Sequence, residues 1–174
     1  MENKSVPDRL ITTYLEMTAP EQLRAEYIDS PDIEVRPEVF TSPAAYRDLY
    51  SSVGELWNWR DRLIMPDDEL MTALAKADIS VLYVDNETAG YIELANDDTG
   101  DTEVGYFGLR PAFFGRGLGK HLLSYGVQRA WDSGAKRVWL HTCNLDGPAA
   151  LANYLARGFT VSHIEDEPMP ERYK

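Results

Sequence analysis

A chain of 174 residues, 44% hydrophobic and 26% charged, has the length for one compact domain with a real core. It has no apolar run long enough to cross a bilayer, Met1-Glu2-Asn3-Lys4 lacks the layout of a secretory leader, and the single cysteine, Cys143, excludes an intrachain disulfide; the expected compartment is cytoplasmic. A formal charge of -12 argues against a nucleic-acid or anionic-membrane partner and suits a cationic small molecule.

In chain order, the β-branched alternation of Leu10 to Met17 predicts a first strand. Thr18-Ala19-Pro20-Glu21 reads as a cap with proline at the first helical position, and Pro31 and Pro37 are expected to keep the following region irregular. Ser42-Pro43 opens a helix that runs to about Val53 and stops at Gly54, with Trp57-Asn58-Trp59 in a loop after it. Asp67-Asp68-Glu69 places acids in the first turn of a second helix, where the helix dipole favours them.

Ile79–Val84, Ala89–Leu94 and Glu103–Leu109 then read as three strands of an antiparallel meander joined by turns rich in Asp and Asn. Leu118, Leu122, Leu123, Val127, Ala130 and Trp131 form one helical stripe ended by Gly134. Arg137–Thr142 is a strand that must cross back beside the third of the meander. Pro148–Ala156 is a helix closed by Gly158, Phe159–Ile164 is a last strand, and Glu165–Lys174 is expected to be a loose acidic tail. The pattern gives an α/β (α+β) fold in one domain, 1–174, with a mixed sheet and helices on its faces.

Charge is uneven along this plan. Asp61 to Glu103 carries twelve acids against two bases, and Arg110 to Arg137 six bases against one acid. Such a split serves either two solvated faces or a basic site for an anionic cofactor beside an acidic approach for a basic substrate.

The densest signal is Phe114-Gly115-Arg116-Gly117-Leu118-Gly119-Lys120 at a strand-to-helix junction. Each glycine costs a helix about 0.8 to 1 kcal/mol against alanine, so three in alternation suit main-chain amides that approach an anion closely. A nucleoside-triphosphate loop fails, because position 114 is Phe and position 121 is His. A dinucleotide fingerprint fails too, since its third glycine would fall on Lys120 or Leu122.

Strand, short loop, G-x-G-x-G and long amphipathic helix together resemble the acetyl-coenzyme A motif of the GNAT N-acetyltransferase superfamily. Its usual form is Arg/Gln-x-x-Gly-x-Gly, with Phe114 here at the first position. The superfamily's second landmark, Asn-x-x-Ala-x-x-x-Tyr-x-x-x-Gly-Phe, is similar to Ala150, Tyr154, Gly158 and Phe159; Gly147 stands at the asparagine position, and Asn144 is the candidate substitute. Trp57, Trp59, Asp61 and Arg62 look like the Trp-x-Trp, Asp-Arg pattern of a bacterial subgroup. The resemblance covers about Ser80 to Ile164.

The resemblance implies a GNAT-type, mostly antiparallel central sheet flanked by helices, with a strand-loop-helix site for acetyl-CoA as co-substrate. It implies that amides from Gly115 through Arg116, Gly117, Leu118 and Gly119 to Lys120 hold the pyrophosphate, and that the backbone of Phe107, Gly108 and Leu109 pairs with the pantetheine arm. The Leu109 N–H would polarise the acetyl carbonyl.

Acetyl transfer to an amine needs a proton acceptor, because an ammonium with a pKa near about 10.4 is not nucleophilic. Glu103 aligns with the family's base; its other reading is a solvated strand-end acid, and His141 is the second candidate base. Tyr154 aligns with the general acid for the leaving thiolate, the other reading being an aromatic packed on the sheet. Trp57 and Trp59 are candidates for an acceptor pocket or for core plugs. Cys143 reads as a buried thiol in place of a nucleophile, since direct transfer needs no covalent enzyme intermediate. His121, His141 and His163 share no metal-ligand spacing, so no metal is expected.

The expected function is N-acetylation of a primary amine, a small basic metabolite, by direct attack. Its alternatives are a protein lysine or N-terminal acceptor and a non-catalytic CoA-binding module. Exposed sheet edges would also suit a homodimer.

Overall fold

The alternating Leu10–Met17 segment forms β1 (Arg9–Met17), which buries Leu15 and Met17 completely. In the computed structural model, which describes residues 6–174, it is followed by β2 (Ile33–Glu38), α1 (Pro43–Gly54), α2 (Asp61–Ile64), α3 (Asp67–Lys76) and the meander β3 (Ala77–Val84), β4 (Glu87–Asn96), β5 (Asp101–Leu109). Then come α4 (Leu118–Asp132), β6 (Arg137–Cys143), α5 (Ala150–Ala156) and β7 (Thr160–Pro168). The Met1–Lys4 stretch read for a leader lies outside the described residues.

The seven strands form one sheet in the order β2-β3-β4-β5-β6-β1-β7. Every neighbouring pair is antiparallel except β5 and β6, which are parallel, as a strand returning through α4 must be. Helices cover both faces. On one, Tyr46, Leu49 and Tyr50 of α1 and Leu70 of α3 pack against Val81 and Tyr91. On the other, Leu122, Leu123 and Val127 of α4 meet Leu15, Ile92 and Leu140. Each of these fully buried side chains contributes on the order of 1.5–3 kcal/mol through burial, so the two layers fix the sheet firmly.

The feature that matters for function is where the sheet fails to close. β5 and β6 pair only over Asp101–Glu103 and Arg137–Trp139. Just beyond, the register with β4 slips, Glu93 facing Tyr106 and Leu94 facing Val104, so Gly105 is one residue too many on β5. Such a bulge bends a strand and raises its twist. β5 therefore leaves β6 after Glu103, and the edge of Val104–Leu109 on that side carries no partner strand.

Three expectations need correction. Glu165–Lys174 is not loose: β7 runs on through Pro168 beside β1, Met169 is buried, and Glu171–Tyr173 forms a 3-10 turn. The acidic composition misled because Glu165 and Glu167 sit on an edge strand whose residues are all exposed. The region around Pro31 and Pro37 is not irregular throughout, since β2 pairs with β3 through Pro37 opposite Ser80. β2 is an edge strand, where a residue without an N–H is tolerated. The cap at Thr18–Glu21 opens only a single 3-10 turn, Pro20–Gln22.

Candidate active site

The split between β5 and β6 opens into a cleft of ≈ 950 Å³ that reaches both faces of the sheet. That volume is of the size that takes a cofactor or a drug-sized ligand. One end is bounded by α4 and α5, the other by α1, the α2 loop and β7.

At the first end, the glycine run turns the chain from β5 into α4. Gly115 and Gly117 adopt left-handed φ values of 75° and 74°, which L side chains avoid, and Gly117 is the N-cap of α4 without any capping side chain. The first α4 amide to find a main-chain acceptor is that of His121, on the Gly117 carbonyl. The amides of Gly115 to Lys120 therefore make no main-chain hydrogen bond among the described residues. Unpaired amides at the positive end of a helix form an anion cradle.

Gly119 gives an independent sign. A Cβ there would meet only the Asn153 amide nitrogen at 3.7 Å and Leu109 Cδ1 at 3.9 Å, ordinary contacts that the protein tolerates. Packing does not require glycine at this position, which lines the cleft. The bare main chain fits a ligand that comes close.

Not every residue of the run faces the cleft. Leu118 is buried in the core, so only its amide is available. Arg116 extends over the Phe113 ring, 5.8 Å from its centroid, and is absent from the cleft wall, whereas Lys120 lines it. Asn144 is a correction. Its amide oxygen accepts from Ile11 N–H at 3.0 Å and its amide nitrogen donates to the Arg9 carbonyl at 3.0 Å. Both ends are spent on tying the β6–α5 loop to β1, and the side chain does not line the cleft.

Phe107, Gly108 and Leu109 line the middle, on the unpaired stretch of β5. Tyr154, on the inward stripe of α5, packs its ring 6.1 Å from Phe107 and 6.2 Å from Phe159 and also lines the cleft. Burial, then the charge of Asp146, pushes its pKa up, so the phenol keeps its proton. Cys143 lines the same wall, and burial pushes its thiol up as well, away from the nucleophilic thiolate.

On the other face, His141 lines the cleft and Glu103 stands behind it, the carboxylate 3.9 Å from His141 Nδ1. Burial is the first cause of a raised Glu103 pKa, opposed by His141 and Arg62. Trp57 and Trp59 both reach the cleft. Trp59 is also a core plug, with Tyr50 and Tyr106 each 5.3 Å from it ring to ring; Trp57 sits 6.2 Å from Phe114. Tyr14 of β1 and Glu165 and Glu167 of β7 complete this wall, Tyr14 OH donating to Glu165 at 3.1 Å.

Sequence reasoning missed a buried ion pair beneath this wall. Glu93 is 1% exposed, accepts from Tyr46 OH and holds Arg62 Nη2 at 2.7 Å. Burial pushes the Glu93 pKa up while Arg62 and Tyr46 pull it down. Arg62 belongs to α2, directly after the Trp57-Asn58-Trp59 turn, so the pair pins the loop that carries both tryptophans and Asp61 to the sheet. A charged residue at an inward position of β4 was the available signal. Among the described residues no His, Cys, Asp and Glu cluster is placed to hold a metal ion, and no helix is long and apolar enough to cross a membrane.

The site is thus framed by a parallel pair of strands that part over an unpaired edge, with a bare helix N-terminus at the mouth. The model of the acetyltransferase (GNAT) family matches residues 42–159, and the chain belongs to that family. A mycothiol acetyltransferase of Streptosporangium roseum is 35% identical over 85 residues, 49% of this chain and 24% of that protein. Among solved structures, a GCN5-related N-acetyltransferase from Kribbella flavida superposes with a TM-score of 0.66 at 17% identity, covering 92% of this chain and 58% of that one. A Bacillus subtilis acetyltransferase in complex with CoA gives 0.60 at 18% identity, covering 75% and 78%. The chain thus spans about a quarter of the length of the curated relative named above.

Proposed function

We propose that this chain transfers acetyl from acetyl-CoA to the primary amine of a small basic acceptor by direct attack. The observation that carries the reading is the split sheet: an unpaired β5 edge running into six unpaired amides at the start of α4. A pantetheine arm carries amides that can complete the edge as an added strand, and a diphosphate suits the cradle. Acetyl-CoA supplies the activated acyl thioester; the protein binds, orients and moves protons. Phe107, Gly108 and Leu109 align the arm, and the amides of Gly115, Gly117, Leu118, Gly119 and Lys120 hold the phosphates.

The amine approaches from the Trp59 side, where Asp61, Glu165 and Glu167 favour a cation and aromatic rings enclose it. Walls supplied by both α2 and β7 make a pocket suited to a small molecule, in keeping with relatives named for one, mycothiol. The amine proton passes to the His141–Glu103 pair as nitrogen bonds to the acyl carbon. The carbon–sulfur bond then breaks, and Tyr154 donates to the thiolate.

Two expected results follow from these roles. Tyr154→Phe lowers kcat by about 10²-fold with little change in acetyl-CoA affinity, as removal of a transition-state donor should. Steady-state kinetics beside calorimetry check this. For Glu103 only the carboxylate accepts a proton, so kcat/KM rises as pH climbs past its raised pKa. Glu103→Gln removes that acid limb and costs roughly 10- to 100-fold in kcat. Thiol release measured over a panel of amines tests the function itself: release coupled to an acetylated amine supports it. Tight binding of acetyl-CoA with no release over polyamines, amino acids, aminoglycosides and peptides would leave only a CoA-binding module.

A further inference from the structure

Beside the amide cradle lies a charged group that neither the fold nor the transfer chemistry accounts for. Arg157 closes α5 and is 3% exposed, one of the few charged residues in the interior. Its Nε and Nη1 are buried with no hydrogen-bond acceptor among the described residues. Only Nη2 is engaged, by Glu26 at 3.3 Å, and that carboxylate is itself more than half exposed. Burying a guanidinium costs several kcal/mol unless it is paired and hydrogen-bonded, so two idle nitrogens are an unbalanced arrangement. One helical turn earlier on the same stripe, the Asn153 side-chain oxygen is likewise buried without a donor. Both residues line the cleft, together with Gly117, Gly119 and Lys120.

Glu26 is held there deliberately. Its N–H donates to Ser124 Oγ at 2.8 Å, and Ile28 N–H donates to His121 Nδ1 at 3.0 Å, strapping the segment across α4. The carboxylate thus sits between Arg157 and Lys120, the latter 3.6 Å away. Both cations lower its pKa, Arg157 first. A single exposed carboxylate shared by two cations at 3.3 and 3.6 Å leaves donors for a stronger, multidentate anion.

We propose that Arg157 is a phosphate-binding residue of the acyl-carrier site, reaching a carrier phosphate from α5 opposite the α4 amides, and that Glu26 competes with that phosphate for Arg157 and Lys120. Asn153 accepts a hydrogen bond from the carrier beside it. This inference rests on the acetyl-CoA reading above and adds to it a side-chain determinant of carrier choice. The phosphate is either one of the diphosphate or the one on the ribose.

Calorimetry with acetyl-CoA, acetyl-dephospho-CoA and acetyl-pantetheine, on wild type, Arg157→Met and Glu26→Gln, tests it. Arg157→Met should weaken acetyl-CoA binding by about tenfold or more and flatten its salt dependence, while acetyl-pantetheine, which has no phosphate, binds as before. If the loss is equally large with acetyl-dephospho-CoA, the diphosphate is the partner; if it vanishes, the ribose phosphate is. Glu26→Gln removes the competitor and should tighten acetyl-CoA binding, a readout that survives even if Arg157→Met fails to fold. Unchanged acetyl-CoA affinity in both variants, or an equal loss for acetyl-pantetheine, overturns the proposal. Wild type that binds no acyl carrier would instead bring down the acetyltransferase reading itself, and this inference with it.

Discussion

Gly119→Val should fold as well as wild type and lose acetyl-CoA. The added Cβ meets only ordinary contacts, at 3.7 Å to Asn153 and 3.9 Å to Leu109, so no core atom is displaced. Replacing glycine within the first turn of α4 also removes a helix penalty of up to about 1 kcal/mol, so stability is held or gains slightly. Gly119 lines the cleft, and in the proposed reading the two methyl groups beyond Cβ hold the ligand away from the amides. Loss of two charge-assisted hydrogen bonds at about 1.5–3 kcal/mol each weakens binding by roughly 10²-fold or more. Calorimetry and a thermal melt on one preparation separate the effects. Full affinity in a folded variant would mean that the glycine run serves only the turn.

Arg62→Met should be the most damaging single change outside the hydrophobic core. It leaves the Glu93 carboxyl, 1% exposed, with Tyr46 as its remaining partner, and breaking a buried pair from one side costs about 3–5 kcal/mol. The sign of the pH dependence follows from the direction of the Glu93 shift. With a folded pKa raised by burial above the ordinary 4.5, and raised further once Arg62 is gone, the variant is relieved when Glu93 is protonated. Its stability deficit is therefore small near and below that ordinary value and grows as pH rises toward neutrality. Urea unfolding at acidic and neutral pH reads it. Because the pair anchors the α2 loop, surviving protein should show a higher KM for the amine while acetyl-CoA affinity is held. A deficit independent of pH would mean that Glu93 does not carry the effect.

What the sequence disclosed was local. Ser42-Pro43 marked the start of α1 because a capping hydroxyl and an N1 proline are signals of a single site, and Ser42 Oγ does accept from Ala45 N–H. The glycine run was legible for the same reason: alternating glycines at a strand-to-helix junction have few structural uses. The crossing back of β6 beside β5 followed from chain connectivity. Long-range matters were harder. The Gly105 bulge that opens the cleft depends on register between β4 and β5, which no window of sequence contains. Asn144 looked available for a ligand because nothing nearby showed that β1, more than a hundred residues away, takes both ends of its amide. The ordered C-terminal region was hidden by its acids, since a strand beside β1 needs only the pairing edge. Arg157 stood on the inward stripe of Ala150 and Tyr154, so a charge facing inward was there to be noticed.

Amide hydrogen exchange with and without CoA tests the split sheet most directly. The account predicts new protection in two separate places, along the Val104–Leu109 edge of β5 and over the Gly115–Lys120 amides, with none added in β2 or β3. Protection that appears elsewhere, or in the glycine run while the β5 edge exchanges as before, would contradict a carrier lying in the gap between β5 and β6.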